Sequence, residues 1–204
     1  MDDSLKDLKD FLLSKCSEDI ISCNIEYDQL SLVIVSSSIE QVTALLKNNN
    51  YCQFRTLIDI TAIDYPSKEE RFVIVYHYLS MQQNIRIRVK SPIRDGQIIP
   101  SITNLFPAAN WFEREVFDMY GMLFSNHPDM RRILTDYGFQ GHPLRKDFPT
   151  TGHVELRYDQ ERKKVIYEPV KLTQEYRRFD FMSPWEGEDF VFEQNIEEKE
   201  KNGK

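Results

Sequence analysis

Proline interrupts this chain at Pro128, Pro143, Pro149, Pro169 and Pro184, a spacing of 6 to 20 residues. Each proline lacks an amide donor and clashes with the helical turn before it. No long helix can form past residue 123. The 122 residues before that point have the opposite character, with apolar side chains recurring at helical or strand periods. The chain therefore divides into a regular half and an irregular one.

In the regular half, Leu5, Leu8, Phe11 and Leu12 line one stripe of a first helix, and Ser4 with Asp7 makes a capping-box pattern at its start. Leu30–Val35 reads as a strand, with 24–27 its partner. Ser38 and Gln41 form a second capping-box pattern ahead of Val42, Leu45 and Leu46, and the run Asn48, Asn49, Asn50 ends that helix. Three strands follow, over 54–63, 72–79 and 85–90. The last alternates, with Ile85, Ile87 and Val89 on one face and Arg86, Arg88 and Lys90 on the other, as in a sheet covered on one side only. Phe72–Leu79 is apolar on both faces, which predicts a central position and a core role for His77. Ser101 caps a short helix stopped by Pro107, and a further helix spans 109–120 with Phe112, Val116 and Tyr120 in register and Gly121 at its end. The expected fold is α+β, with a mixed, largely antiparallel sheet and helices on one face.

The irregular half is not polar filler. Residues 111–192 hold 16 of the 25 aromatics and 8 of the 13 arginines but only 4 lysines, the composition of a buried contact surface. Two short strands, 154–158 and 164–167, form a candidate hairpin in an otherwise extended, loop-rich segment. Irregular backbone rich in large apolar groups needs something to lie against, which points to a partner protein. The expected organisation is an α+β domain over 1–122, a partner-wrapping segment over 123–192 and a charged tail over 193–204.

Composition narrows the function classes. A net charge of −7 argues against nucleic acid, whose phosphates select a basic surface. No apolar run reaches the ~18–20 residues of a membrane-spanning helix, and the acidic start lacks the features of a secretory or transit signal. Cys16, Cys23 and Cys52 show no paired spacing and read as buried, reduced thiols; an iron–sulfur cluster normally needs four thiolates. Only four alanines occur, against abundant Asn, Ile, Lys, Phe and Tyr, a usage that fits an AT-rich genome such as an organellar one.

The densest reactive cluster is Glu113-Arg-Glu-Val-Phe-Asp118 with His127, Asp129, Arg131 and Arg132 behind it. Paired carboxylates and a histidine suit general acid–base chemistry, yet Glu113 and Glu115 point apart on a helix. Arg114 and Asp118 are placed to pair at i, i+4. The alternative is a polar stripe facing solvent or a partner. His127, Asp129, His142, Asp147 and His153 are metal-ligand types without a ligating spacing, and His127 and His142, each before a proline, sit in extended backbone. The seven glycines compose neither nucleotide-binding fingerprint.

The run from Phe112-Glu-Arg-Glu-Val-Phe-Asp-Met-Tyr-Gly121 through Asn126-His-Pro-Asp-Met-Arg-Arg132, then Gly141-His-Pro-Leu-Arg-Lys-Asp-Phe-Pro149, Tyr167-Glu-Pro169, Phe179-Asp-Phe181 and Ser183-Pro-Trp-Glu186, closely resembles the 30-kDa subunit family of respiratory complex I, the proton-translocating NADH:ubiquinone oxidoreductase. That family has bacterial and mitochondrial members. The resemblance implies a core subunit of the peripheral arm that braces the quinone-site subunit, itself similar to hydrogenase large subunits. It implies no flavin, iron–sulfur cluster or quinone held by this chain, and catalysis only through the whole complex; the ligand spacing above gives no metal site either. Glu113, Arg114, Glu115, Asp118, Gly121, His127, Pro128, Arg131, Arg132, Arg145, Lys146 and Asp147 are carried over as motif positions, in helix-to-loop bonding and charged contacts to the partner. The implied location is peripheral, on the matrix side of the mitochondrial inner membrane, or on the cytoplasmic face of a bacterial inner membrane. Two alternatives stand beside this: a subunit of a related NDH-type or hydrogenase assembly, and a free-standing acid–base enzyme using Glu113, Glu115, Asp118 and His127.

Overall fold

A computed structural model describes residues 3–177. The motif stretches 179–181 and 183–186 and the charged tail lie outside the described residues. The described residues form two compact units that divide between Gly152 and His153, so the first unit continues past the change of periodicity at 122.

The first unit begins with α1 (Asp3–Lys15), β1 (Ile20–Glu26), β2 (Gln29–Ile34) and α2 (Ile39–Asn48), followed by β3 (Thr56–Asp64), β4 (Phe72–Ser80) and β5 (Ile85–Ile93). These strands make one sheet in the order β1-β2-β5-β4-β3. Only β2 and β5 pair in parallel; the other neighbours are antiparallel. The expected mixed α+β architecture is present. A parallel pair cannot be closed by a tight turn, and here α2, β3 and β4 make the connection.

One face of the sheet and the apolar stripes of the helices share a core. Leu5, Leu8 and Leu12 from α1, and Ile39, Val42 and Leu46 from α2, are no more than 3% exposed. They meet Leu30, Leu32, Tyr76, Tyr78, Ile87 and Val89 in a single cluster. Each such side chain contributes roughly 1.5–3 kcal/mol by leaving water. Thr43 satisfies the buried Tyr78 hydroxyl at 3.0 Å. The three cysteines are buried free thiols, and burial pushes all three upward, Cys52 to about 11.

Several local expectations are corrected. Ser4 lies inside α1 rather than at its cap, because the helix starts at Asp3. Ser38 makes no side-chain cap to α2; its hydroxyl is taken by Asp19. His77 is half-buried on the face opposite Tyr76 and Tyr78, not in the core. Burial and Arg88 lower its basicity. Ser101 opens only a single turn, in which the Phe106 amide reaches the Ile102 carbonyl at 2.8 Å.

The rest of the first unit hangs on α3 (Ala109–Tyr120), which connects the short parallel strands β6 (Ile98–Pro100) and β7 (Leu123–Ser125). In the second unit β8 (Val154–Asp159) and β9 (Lys164–Pro169) form the anticipated antiparallel hairpin. Its turn is set by the Asp159 carboxylate, which accepts the Glu161 and Arg162 amides at 2.9 and 3.2 Å.

Candidate functional site

The motif residues converge on α3 and organise the loops around it. Glu113, Arg114 and Asp118 are buried while Glu115 is exposed, so the acidic stripe is not a solvated face. Glu113 sits toward the preceding loop, accepting the Ile102 amide at 2.8 Å and the Ser101 hydroxyl at 2.7 Å. His127 lies 3.9 Å from it, and both side chains are fully buried.

Asp118 has a different task. Its Oδ2 accepts three consecutive amides, from Ile133 at 3.0 Å, Leu134 at 2.7 Å and Thr135 at 2.9 Å. Its Oδ1 takes the Thr135 hydroxyl at 2.6 Å and Arg132 Nη1 at 3.2 Å. Successive amides aimed at one oxygen form an anion-binding nest, here filled by the protein's own carboxylate. Burial alone would raise this carboxyl, but the Thr135, Leu134 and Ile133 donors outweigh it and hold it below the usual range. The expected pairing of Arg114 with Asp118 is replaced: Arg114 Nε donates to the Arg131 carbonyl at 3.0 Å, and Arg132 takes the aspartate. Arg114 has its guanidinium over Trp111 instead, 5.3 Å from the ring centre.

The last four carbonyls of a helix lack partners within it, and here all four are bonded. Gly121 N bonds Phe117 O at 2.8 Å, His142 Nδ1 bonds Asp118 O at 2.9 Å, Leu144 N bonds Met119 O at 3.1 Å, and Arg145 Nε bonds Tyr120 O at 2.6 Å. The loop can approach because position 121 has no side chain. A Cβ there would stand 2.6 Å from the His142 ring and 2.8 Å from Arg145 Nη2, and its φ is +77°.

A charged lattice anchors the same loop to the sheet. Arg71 grips Asp64 through two bonds at 2.8 and 2.9 Å and reaches Asp147 at 2.9 Å. The Lys146 amide donates to Asp64 at 2.8 Å. Asp64 is fully buried and Arg71 is 18% exposed. The Arg71 bond is the main reason the Asp64 carboxyl stays below its ordinary range. Arg145 also meets Asp95, at 3.2 Å.

Most of the twelve motif positions thus serve as struts within the chain: Glu113, Arg114, Asp118, Gly121, His127, Arg132, Arg145, the Lys146 backbone and Asp147, whose carboxylate holds Arg71 from the surface. Glu115, Pro128 and Arg131 stay on the surface, Arg131 pairing with Asp129 at 2.7 Å. Reasoning from sequence missed Asp64, Arg71, Ser101, Thr135 and His142 as their partners. The partners lie up to 82 residues away along the chain, a separation at which spacing carries no signal. The geometry does not favour catalysis by the Glu113, Glu115, Asp118 and His127 set. Asp118 is occupied by its own loop, Glu115 faces away, and Glu113 and His127 are sealed from solvent. Among the described residues no group of three or more His, Cys, Asp or Glu could hold a metal ion.

The family described as respiratory-chain NADH dehydrogenase, 30 Kd subunit, matches residues 32–154, from β2 through these loops. The chain belongs to that family. Members of the 30 Kd family resemble it over nearly its whole length. The NADH-quinone oxidoreductase C subunit of Dinoroseobacter shibae is 58% identical across 92% of this chain and 87% of its own. That of Ruegeria pomeroyi is 54% identical across 94% and 96%, and that of a Jannaschia species 52% identical across 100% and 99%. Among solved structures, a chain of an archaeal respiratory membrane complex, the membrane-bound sulfane sulfur reductase, superposes with a TM-score of 0.61. It is 27% identical, covering 71% of this chain and 85% of that one. No described helix of this family member is long and apolar enough to cross a membrane.

Proposed function

We propose that this chain is a non-redox core subunit of the peripheral arm of respiratory complex I, bracing the quinone-site subunit while electrons pass from NADH to quinone elsewhere in the assembly. Relatives more than 50% identical over nearly the full length carry the assignment to NADH-quinone oxidoreductase. The bracing role rests on one observation. Val154, Leu156 and Tyr158 of β8 share a face with Val165 and Tyr167 of β9, and each of the five is 53–59% exposed. A two-stranded hairpin is marginal in water by itself, and a continuous apolar face on one marks a contact site. Leu134 at 58% and Tyr137 at 98% exposure extend the same character to the first unit's loops. In this reading the chain holds no flavin, iron–sulfur cluster, quinone or metal, and turnover belongs to the complex.

The neighbour is the hydrogenase-large-subunit-like quinone-site subunit, and the chain sits peripherally on the inner membrane. The bacterial relatives support the cytoplasmic face of a bacterial membrane over the mitochondrial matrix side. A related assembly is the second reading, supported by the archaeal complex whose chain shares the fold. The Arg131–Asp129 pair is exposed and can meet a neighbour as a unit, whereas Arg132 is held inward by the buried Asp118. Charging the hairpin face with Leu156→Asp and Tyr167→Asp tests the proposal. We expect the full chain to keep its circular dichroism but to disappear from complex I isolated from solubilised membranes. Normal incorporation would overturn the bracing role.

A further inference from the structure

We propose that Glu113 is a proton-binding site of the folded chain, loaded and unloaded through the hydroxyls of Ser101 and Thr103. The carboxyl is wholly buried, and its neighbours are hydrogen-bond donors rather than cations. His127, 3.9 Å away, is already committed. Its Nδ1 accepts the Asp129 amide at 3.1 Å and so carries no hydrogen, leaving Nε2 to donate to the Asn110 carbonyl at 3.2 Å. A ring bonded in this way is the neutral tautomer. It offers Glu113 no positive charge.

The surrounding elements supply none either. From β4, Tyr76 and Tyr78 face the carboxyl; both phenols are kept protonated by burial, with the Glu113 charge adding to the effect. The Tyr76 hydroxyl is buried without a hydrogen-bond partner among the described residues. From α2, Lys47 donates its ammonium to the Leu105 carbonyl and lies 4.9 Å from the Phe106 ring centre. Beyond His127, Arg131 is paired with Asp129, and Arg114 is turned to the Arg131 carbonyl and Trp111. An ionised Glu113 is thus a buried charge with no counter-ion among the described residues, a costly state that protonation relieves. Burial pushes this carboxyl up to about 7, although the Ile102 amide and the Ser101 hydroxyl pull the other way.

The hydrogen bonds are complete in both charge states. Ser101 Oγ lies 2.7 Å from Glu113 Oε2 and 2.9 Å from Thr103 Oγ1, and accepts the Thr103 amide at 3.2 Å. With Glu113 ionised, the Ser101 hydroxyl donates to Oε2 and the Thr103 hydroxyl donates to Ser101. With Glu113 protonated, both directions invert: Oε2–H donates to Ser101, and Ser101 donates to Thr103. No bond is lost, and the Ile102 amide stays on Oε1 throughout. Uptake needs only a proton delivered to the half-buried Thr103 hydroxyl, which passes its own to Ser101, which passes its own to Glu113. Release runs backwards.

Carbon-13 NMR of the full chain, labelled at the glutamate side-chain carboxyls and titrated between about pH 5 and pH 9, tests this against the ordinary glutamate range near 4.3. One resonance should titrate near 7 and be missing from Glu113→Gln, whose amide reproduces the protonated bonding pattern. Ser101→Ala should move that midpoint upward, because a donor to the ionised form is gone. Thr103→Val should slow proton exchange until the two charge states give separate signals. If every glutamate titrates in the ordinary range, or the neutral-range resonance survives in Glu113→Gln, the site is refuted. Should Glu113→Gln fail to fold, an unshifted midpoint in Ser101→Ala refutes it instead, and unslowed exchange in Thr103→Val removes the relay.

Discussion

The loops of residues 126–149 and the hairpin of residues 154–169 invert the usual relation between regularity and completeness. The loops have almost no repeating backbone, yet their amides and charges end on Asp118, on the carbonyls of α3 and on the Arg71–Asp64 lattice. The hairpin has a regular ladder of six residue pairs, yet it turns five large apolar side chains to solvent. Irregular backbone is therefore not the same as unmet backbone here: the loops just past residue 123 are held by their own unit, and the uncovered apolar area lies on the hairpin.

This contrast can be broken by removing what holds the loops. Asp118→Ala leaves three amides and Arg132 without their acceptor and should cost about 3 kcal/mol or more, measured by urea denaturation. It should also flatten the acid limb of stability. Because Asp118 is held below its unfolded value, its contribution is present above the unfolded value near 3.9 and is lost as pH falls through the lower folded one. An Asp118→Ala chain as stable as the parent would mean the loops are held by something else.

Arg71→Ala strands the buried Asp64 carboxylate, with the Lys146 amide still bonded to it, and should cost about 2 kcal/mol. The loss should be partly recovered when Asp64→Asn is added, which a double-mutant cycle would read. Gly121→Ala introduces both a left-handed alanine and a clash with His142 and Arg145, for about 1.5 kcal/mol. If its cost falls below the few tenths expected at a surface site, the close approach is not what fixes the loop. At the small end, Leu156→Ser with Tyr167→Ser should leave the unfolding of the first unit within about 0.5 kcal/mol of the parent. A larger loss would show that the hairpin face is already in use within the chain.

Stability against pH sharpens the comparison further. Glu113 is raised above its unfolded value, so its contribution is full below about pH 4.3 and is lost as pH rises through the folded value. Its slope is opposite in sign to that of Asp118. Two acids five positions apart on one helix thus act oppositely, one stabilised as an anion by converging donors and the other destabilised as an anion by burial.

The elements that repeat were legible from the residues. The stripe Leu5, Leu8, Leu12, the alternation Ile85, Ile87, Val89 and the stop at Gly121 each follow from a helix or strand period acting on neighbours. The hairpin at 154–169 was legible for the same reason. Capping was less so: Ser4 and Ser38 both carry the right pattern, but a cap is decided by competition, and Asp19 took the Ser38 hydroxyl. The family itself could be read from the run beginning at Phe112.

What the sequence determined alone is local periodicity, where one residue's role depends on others a few positions away. Only the tertiary structure decided that Glu113 and Asp118 are interior, that Arg132 rather than Arg114 holds Asp118, and that Arg71 and Asp64 anchor Lys146 and Asp147. Those pairings join parts of the chain whose separation leaves no periodic trace. They exist because a buried polar atom without a partner is costly, and the folded chain brings these partners within about 3 Å of one another.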